Sequence, residues 1–204
     1  MALCTLAHAH AVLGIPDADT EHDTLLAILI AGVSADLARL AGRVVNAAYV
    51  FEKSTVVEYF SPPPGAAVLW LTARPVVSIT EIKEASYGGF DDATALVENT
   101  DYQIHKPTGK LIRIGQWLDG DLTVRVTYPG GYAAAGATPG VGETALPADV
   151  YLAAARQVAY TFNRRNKLGM TGAGVQGASY ENYAKDDLLP DVRKTILRYG
   201  RKIG

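Results

Sequence analysis

The chain has 204 residues, 49% of them hydrophobic, with 19 basic against 21 acidic side chains. That hydrophobic content excludes a disordered chain, and the single Cys4 excludes an internal disulfide framework and any multi-cysteine metal centre. No helical membrane span is expected, because the longest uncharged apolar stretch, 24–35, falls short of about 18 residues. With no Lys or Arg before Arg39, a secretory signal is not expected either.

In chain order, Leu3, Leu6, His10 and Leu13 mark one face of a short helix, ended by Gly14 with Pro16 beyond it. Thr20 with Asp23 has the spacing of a capping box and predicts a second helix. Leu26, Leu29, Val33, Leu37 and Leu40 form its apolar stripe, closed by Gly42 and Arg43. From about Val44 the period changes to two. Val56, Glu58 and Phe60 alternate with Val57 and Tyr59, and the runs 68–72 and 76–82 read as further strands. The turn residues Lys106, Pro107, Thr108 and Gly109 predict a hairpin between 102–105 and 111–114. Leu122, Val124, Val126 and Tyr128 share one strand face, and Pro129-Gly130-Gly131 stops that strand.

Residues 133–145 have the composition of a flexible linker. A helix follows from Leu146-Pro147-Ala148-Asp149, with Tyr151, Ala155, Val158 and Phe162 on one face. The glycine-rich 169–177 reads as a loop. A final helix begins near Pro190, with Leu189, Val192, Ile196 and Tyr199 as its apolar stripe and Arg193, Lys194, Arg198, Arg201 and Lys202 around it. The predicted class is α+β: a helical bundle formed from both chain ends (1–43 and 147–204), an inserted antiparallel β module (44–132) and a linker (133–146). No internal repeat is visible.

Charge is divided along the chain. Residues 1–150 hold 9 basic and 17 acidic side chains, and residues 151–204 hold 10 basic and 4 acidic. The basic end therefore suits an acidic partner.

Sites for chemistry are weakly supported. Residues 172–177 spell GAGVQG, a G-x-G-x-x-G match, but no apolar strand precedes it and no helical stripe follows, so it reads as a loop. Asp17, Asp19, Glu21 and Asp23 alternate like a calcium loop, yet His22 and Ile28 stand where the template wants Gly and Glu. His8 and His10 face different directions on a helix, and His22 and His105 are isolated. The pairs Asp91-Asp92 and Asp186-Asp187 read as solvated loop charges. No catalytic, cofactor or metal site is expected. The basic C-terminal helix has three readings: an ordinary packed helix, a docking element whose apolar stripe enters a partner's groove while its cations meet acids, or a nucleic-acid contact helped by Arg164, Arg165 and Lys167.

Several phrases occur in one order: 25–43 (LLAILIAGVSADLARLAGR), 70–79 (WLTARPVVSI), 99–132 (NTDYQIHKPTGKLIRIGQWLDGDLTVRVTYPGGY) and 146–155 (LPADVYLAAA). The most specific series is Asp101-Tyr102, Gly109, Trp117, Val126-Thr127-Tyr128, Gly131-Tyr132 and Pro147-Ala148-Asp149. This set resembles the head–tail connector (adaptor) proteins of long-tailed bacteriophages and prophages. The resemblance implies a non-enzymatic virion protein, without cofactor, that assembles in the bacterial cytoplasm as a dodecameric ring under the portal. Phage DNA would pass through the ring, and a stopper or tail-completion protein would follow it. It also implies portal docking by the C-terminal segment. Leu189, Val192, Ile196 and Tyr199 would supply the apolar contact, with Arg193, Lys194, Arg198 and Arg201 as a charged margin. A stopper, a tail terminator, or a small enzyme or ligand-binding module are the alternatives.

Overall fold

A computed structural model describes residues 2–45, 48–49, 51–165 and 188–200. Among these are four helices: α1 (Leu6–Leu13), α2 (Asp23–Leu40), α3 (Ala148–Arg164) and α4 (Pro190–Arg198). Between α2 and α3 run the strands β1 (Val44–Val45), β2 (Ala48–Tyr49), β3 (Ser54–Phe60), β4 (Val68–Trp70), β5 (Glu81–Glu84), β6 (Tyr102–His105), β7 (Lys110–Arg113) and β8 (Val124–Gly130). The class is mixed α+β. The glycine-rich 169–177, Lys167, Asp186, Asp187, Arg201 and Lys202 lie outside the described residues.

The helices form where the apolar spacing predicts them, but their starts differ. In α1 the Thr5 hydroxyl accepts from the His8 N–H and His8 Nδ1 accepts from the Thr5 N–H, both at 3.2 Å. Gly14, at φ +70°, ends the helix with its N–H on the His10 carbonyl. The expected Thr20–Asp23 capping box does not form. His22 stands at the N-cap without a side-chain cap. The Asp23 carboxylate instead lies 2.8 Å from His10 Nε2, and the Asp23 N–H goes to the Thr20 carbonyl.

Helix α3 lies against α1, α2 and α4. Its consecutive Ala153, Ala154 and Ala155 are buried and leave room for close approach. Leu3, Leu26, Ile30, Leu37, Val150, Val158, Val192 and Ile196 are all buried in one cluster. Each large aliphatic side chain in it contributes about 1.5–3 kcal/mol.

The strands make a short hairpin, β1–β2, and two antiparallel three-stranded sheets. In the first sheet β8 is central, pairing Val56 with Tyr128 on one side and Ile82 with Val126 on the other. In the second, β7 is central, pairing Leu111 with Leu69 and with Ile104. The hairpin β6–β7 turns at the predicted residues. A second core collects Leu69, Leu71, Ile82, Tyr102, Leu111, Trp117, Val124, Val126 and Tyr128.

Three strand expectations are corrected by non-local partners. The strand expected over 68–72 ends at Trp70, because the Thr72 and Ala73 amides donate to the Glu58 carboxylate and the Tyr128 hydroxyl. The strand expected over 76–82 begins only at Glu81. Val76 makes a single bridge to Gly130 while its N–H goes to the Lys106 carbonyl. Leu122 does not share the buried face of β8. It sits in a turn at φ +49°, half exposed, with its N–H on Ser61 Oγ. Moreover, β8 continues through Pro129 to Gly130, where a Cβ would lie 2.0 Å from the Ala73 carbonyl oxygen. Only glycine fits there.

Residues 133–146 run without helix or strand. The Ala133 N–H donates to the Thr144 carbonyl at 2.9 Å, and Lys53 pairs with Glu143.

Candidate interaction surface

The C-terminal helix is the one element the sequence marks for docking, and the structure divides its residues into two sets. Pro190 opens α4, and the spacing of Val192 and Ile196 turns both into the core shared by the helices, where both are fully buried. Leu189 and Tyr199 pack against that core half-buried. Three polar contacts hold α4 along α3. The Leu189 N–H donates to Gln157 Oε1 at 3.0 Å, Arg156 pairs with Asp191 at 3.0 Å, and the Tyr199 hydroxyl donates to Asp149 at 2.7 Å. The apolar stripe is therefore occupied within the chain. Arg193, Lys194, Leu197 and Arg198 face solvent. Arg201 lies outside the described residues.

The end of α4 is fastened to the β region by an arginine that sequence reasoning placed only as the close of α2. Arg43 is 2% exposed, with its guanidinium carbon 4.5 Å from the Phe51 ring centre and 5.3 Å from that of Tyr132. Its Nε donates to the Tyr199 carbonyl at 3.1 Å, and its Nη1 to the Arg74 carbonyl. Arg74 in turn donates to the Gly200 carbonyl. Two guanidinium groups thus meet carbonyls at the negative end of the α4 dipole. Burial pulls the Arg43 guanidinium down to about 10, so it remains charged at neutral pH. Around it opens a cleft of about 520 Å³, which Trp70, Pro107, Tyr132 and Arg198 help to line.

A second buried polar pair, Glu58 and Tyr128, fixes the inside of the β region. The Tyr128 hydroxyl donates to the Glu58 carboxylate and accepts from the Ala73 N–H at 2.9 Å. Burial raises the Glu58 carboxyl above its ordinary range, against the opposing pull of its hydrogen bonds from Tyr128 and Thr72. Burial, reinforced by Glu58, also pushes the Tyr128 phenol up. The available signal was positional, since Glu58 shares its strand face with Val56 and Phe60.

The remaining candidates have structural partners. His8 stacks on Tyr151 with ring centres 4.5 Å apart, His22 meets Phe162 edge-on, and His10 faces Asp23. His105 contacts Thr108 at 2.8 Å. In the acidic connector, Asp19 accepts from the Glu21 N–H. Asp91 lies 3.8 Å from Arg125. Among the described residues, no group of three or more His, Cys, Asp or Glu side chains could hold a metal ion, and no helix is long and apolar enough to cross a membrane.

What the geometry defines is an α+β chain whose helical core and β region are locked by a buried arginine, with a cationic helix face left open. No family model matches the chain, and no curated protein does. Solved structures share its fold. A chain in the neck of an empty gene transfer agent (GTA) particle, computed with C6 symmetry, is 19% identical with a TM-score of 0.56, covering 97% of this chain and 90% of that one. A chain in the neck of the native GTA particle, computed with C12 symmetry, is 17% identical with a TM-score of 0.54, covering 100% and 95%. A chain of the native GTA virion is 17% identical with a TM-score of 0.56, covering 97% and 90%. The chain thus shares its fold, over nearly its whole length, with chains from gene transfer agent particles, two of them from the neck.

Proposed function

We propose that this chain is a virion neck protein, a head–tail adaptor that forms a ring beneath the portal and joins it to a stopper or tail-completion protein. The observation that carries this reading is the fold match over nearly the full length to chains in necks solved with C6 and C12 symmetry. The reading agrees with the ordered motif set. In it the ring is a dodecamer of copies located in the virion neck, it needs no cofactor, and its role is mechanical.

The chain divides, in this reading, into a helical unit built from 1–43 and 147–204 and a β module of 44–132 carried between them. Val192 and Ile196 hold α4 in place, while Arg193, Lys194 and Arg198 present cations to an acidic portal surface. Arg201 would extend that cationic face. DNA passes through the ring unread, because a strongly basic lumen would hold the duplex by its phosphates. The acidic 1–150 portion therefore lies nearer the lumen and the basic face nearer the portal.

Mixing the purified chain with its portal protein and imaging the product by electron microscopy tests the proposal. A ring of this chain seated on the portal is expected. If no ring forms on the portal in any assembly condition, the adaptor reading fails.

A further inference from the structure

Helix α2 carries no charged residue between Asp23 and Asp36, and among the described residues none covers its outer side. Inward it buries Leu26, Ile30, Val33 and Leu37. Outward, Thr24, Ala27, Ile28, Ala31 and Gly32 are exposed, Ile28 at 64%. A helix that is apolar around its whole circumference is ordinarily buried on every side.

Gly32 sharpens the point. Glycine in a helix interior costs about 1 kcal/mol relative to alanine. A Cβ at this position would meet nothing within 4 Å among the described residues, so no packing within them calls for its absence. A groove of about 740 Å³ runs along one side of the α2 ridge, between Ile28 and Gly32 on α2 and Tyr160 and Arg164 on α3. A smaller one, about 290 Å³, runs along the other, between Ala27 and Ala31 and the loop residues Ala134 and Ala135. A low ridge of small residues between two grooves is the relief into which another protein's side-chain ridges pack.

We propose that the outer face of α2, with its two flanking grooves, is the seam at which a second copy of this chain packs in the ring. This rests on the neck-ring reading above. A rotationally symmetric ring gives every copy a neighbour on either side, through a heterologous contact in which this face meets a different face of the next copy. The charge distribution selects that occupant. The centre of the face is charge-free, as the core of a lasting protein interface is, and the larger groove balances Arg164 with Asp36 in its lining, so it offers no net positive charge to nucleic acid. The cations that suit an acidic portal lie on α4. The charge-free stretch of the seam, 24–35, runs about 18 Å along the helix.

Two variants and one cross-link test the seam. Gly32→Phe fills open space in the isolated chain, and Ile28→Glu places a charge on an already exposed position. Both should keep the wild-type circular dichroism and thermal midpoint while lowering ring yield on the portal at least tenfold. A photo-cross-linker at position 28 of an otherwise unchanged chain should join copy to copy in the assembled ring. Rings at wild-type yield from both variants, or cross-links reaching only the portal, overturn the seam and leave the neck-ring reading standing. A wild-type chain that forms no ring overturns both.

Discussion

The Arg43 guanidinium and the Tyr199 carbonyl meet at 3.1 Å across 156 residues of sequence. That bond ties the end of α2 to the end of α4, and the same side chain lies against Phe51 and Tyr132. Arg43→Lys keeps the charge but loses the planar fork that stacks and donates to two carbonyls at once. It should destabilise the chain by about 2 kcal/mol and speed amide exchange in α4. Denaturant unfolding and hydrogen exchange check this. An unchanged midpoint would show the clamp to be idle.

The Glu58 carboxyl supplies a pH signature. Burial raises its folded pKa above the unfolded one, so the folded chain holds this proton to higher pH than the unfolded chain does. Its contribution is therefore largest below the ordinary carboxylate value and is lost as pH rises through the raised one. The slope is at most about 1.4 kcal/mol per pH unit. Glu58→Gln, which still accepts from Tyr128 and Thr72, should remove this component. Urea titrations of both proteins at several pH values measure it, and parallel curves for the two would contradict the assignment.

Gly130 and Gly65 should respond differently to the same substitution. A methyl at Gly130 collides with the Ala73 backbone, whereas at Gly65, φ +79°, a Cβ meets nothing within 4 Å. Gly130→Ala should cost about 3 kcal/mol or more through forced backbone displacement. Gly65→Ala carries only the left-handed conformation, about 1 kcal/mol. Thermal midpoints of the two variants decide it, and equal losses would refute the packing argument.

The docking role of α4 calls for point variants, because deleting the helix would also uncover the core. Arg193→Glu with Lys194→Glu should leave the unfolding free energy within about 0.5 kcal/mol of wild type. The same pair should weaken portal attachment at least tenfold at low salt. Ile196→Ala should do the reverse, losing about 2–5 kcal/mol of stability while the remaining folded chain attaches normally. Portal binding that survives the double charge reversal would remove α4 from the interface.

Much of the local structure was legible because it depends on local pattern. The stripe from Leu26 to Leu37 specifies α2, Pro147-Ala148-Asp149 opens α3, and Lys106 to Gly109 turn the hairpin. Gly14 stops α1 as its position requires. What could not be read is decided by partners distant in sequence. Nothing near Thr72 announces that Glu58 will take its amide and end β4. Nothing near Arg43 announces the carbonyls of residues 74 and 199. The periodicity of α4 located its apolar face correctly, but a stripe does not say whether its own chain or another fills the space opposite. In this structure Val192 and Ile196 fill it from within, and the candidate surface moves to the cations behind them.

The core shared by the four helices has a consequence for synthesis. Leu26, Ile30 and Leu37 leave the ribosome with α2, yet the helix that covers them starts only at Ala148, 108 residues after Leu40. At ordinary elongation rates that interval is roughly 5 to 20 seconds. Through it α1 and α2 carry an uncovered apolar face while the β region is being synthesised. Such distant closure makes for slow folding and a nascent chain prone to association. The helical core is thus the last part of the molecule to become complete, and a truncated product ending before α3 would expose the surface that the finished protein hides.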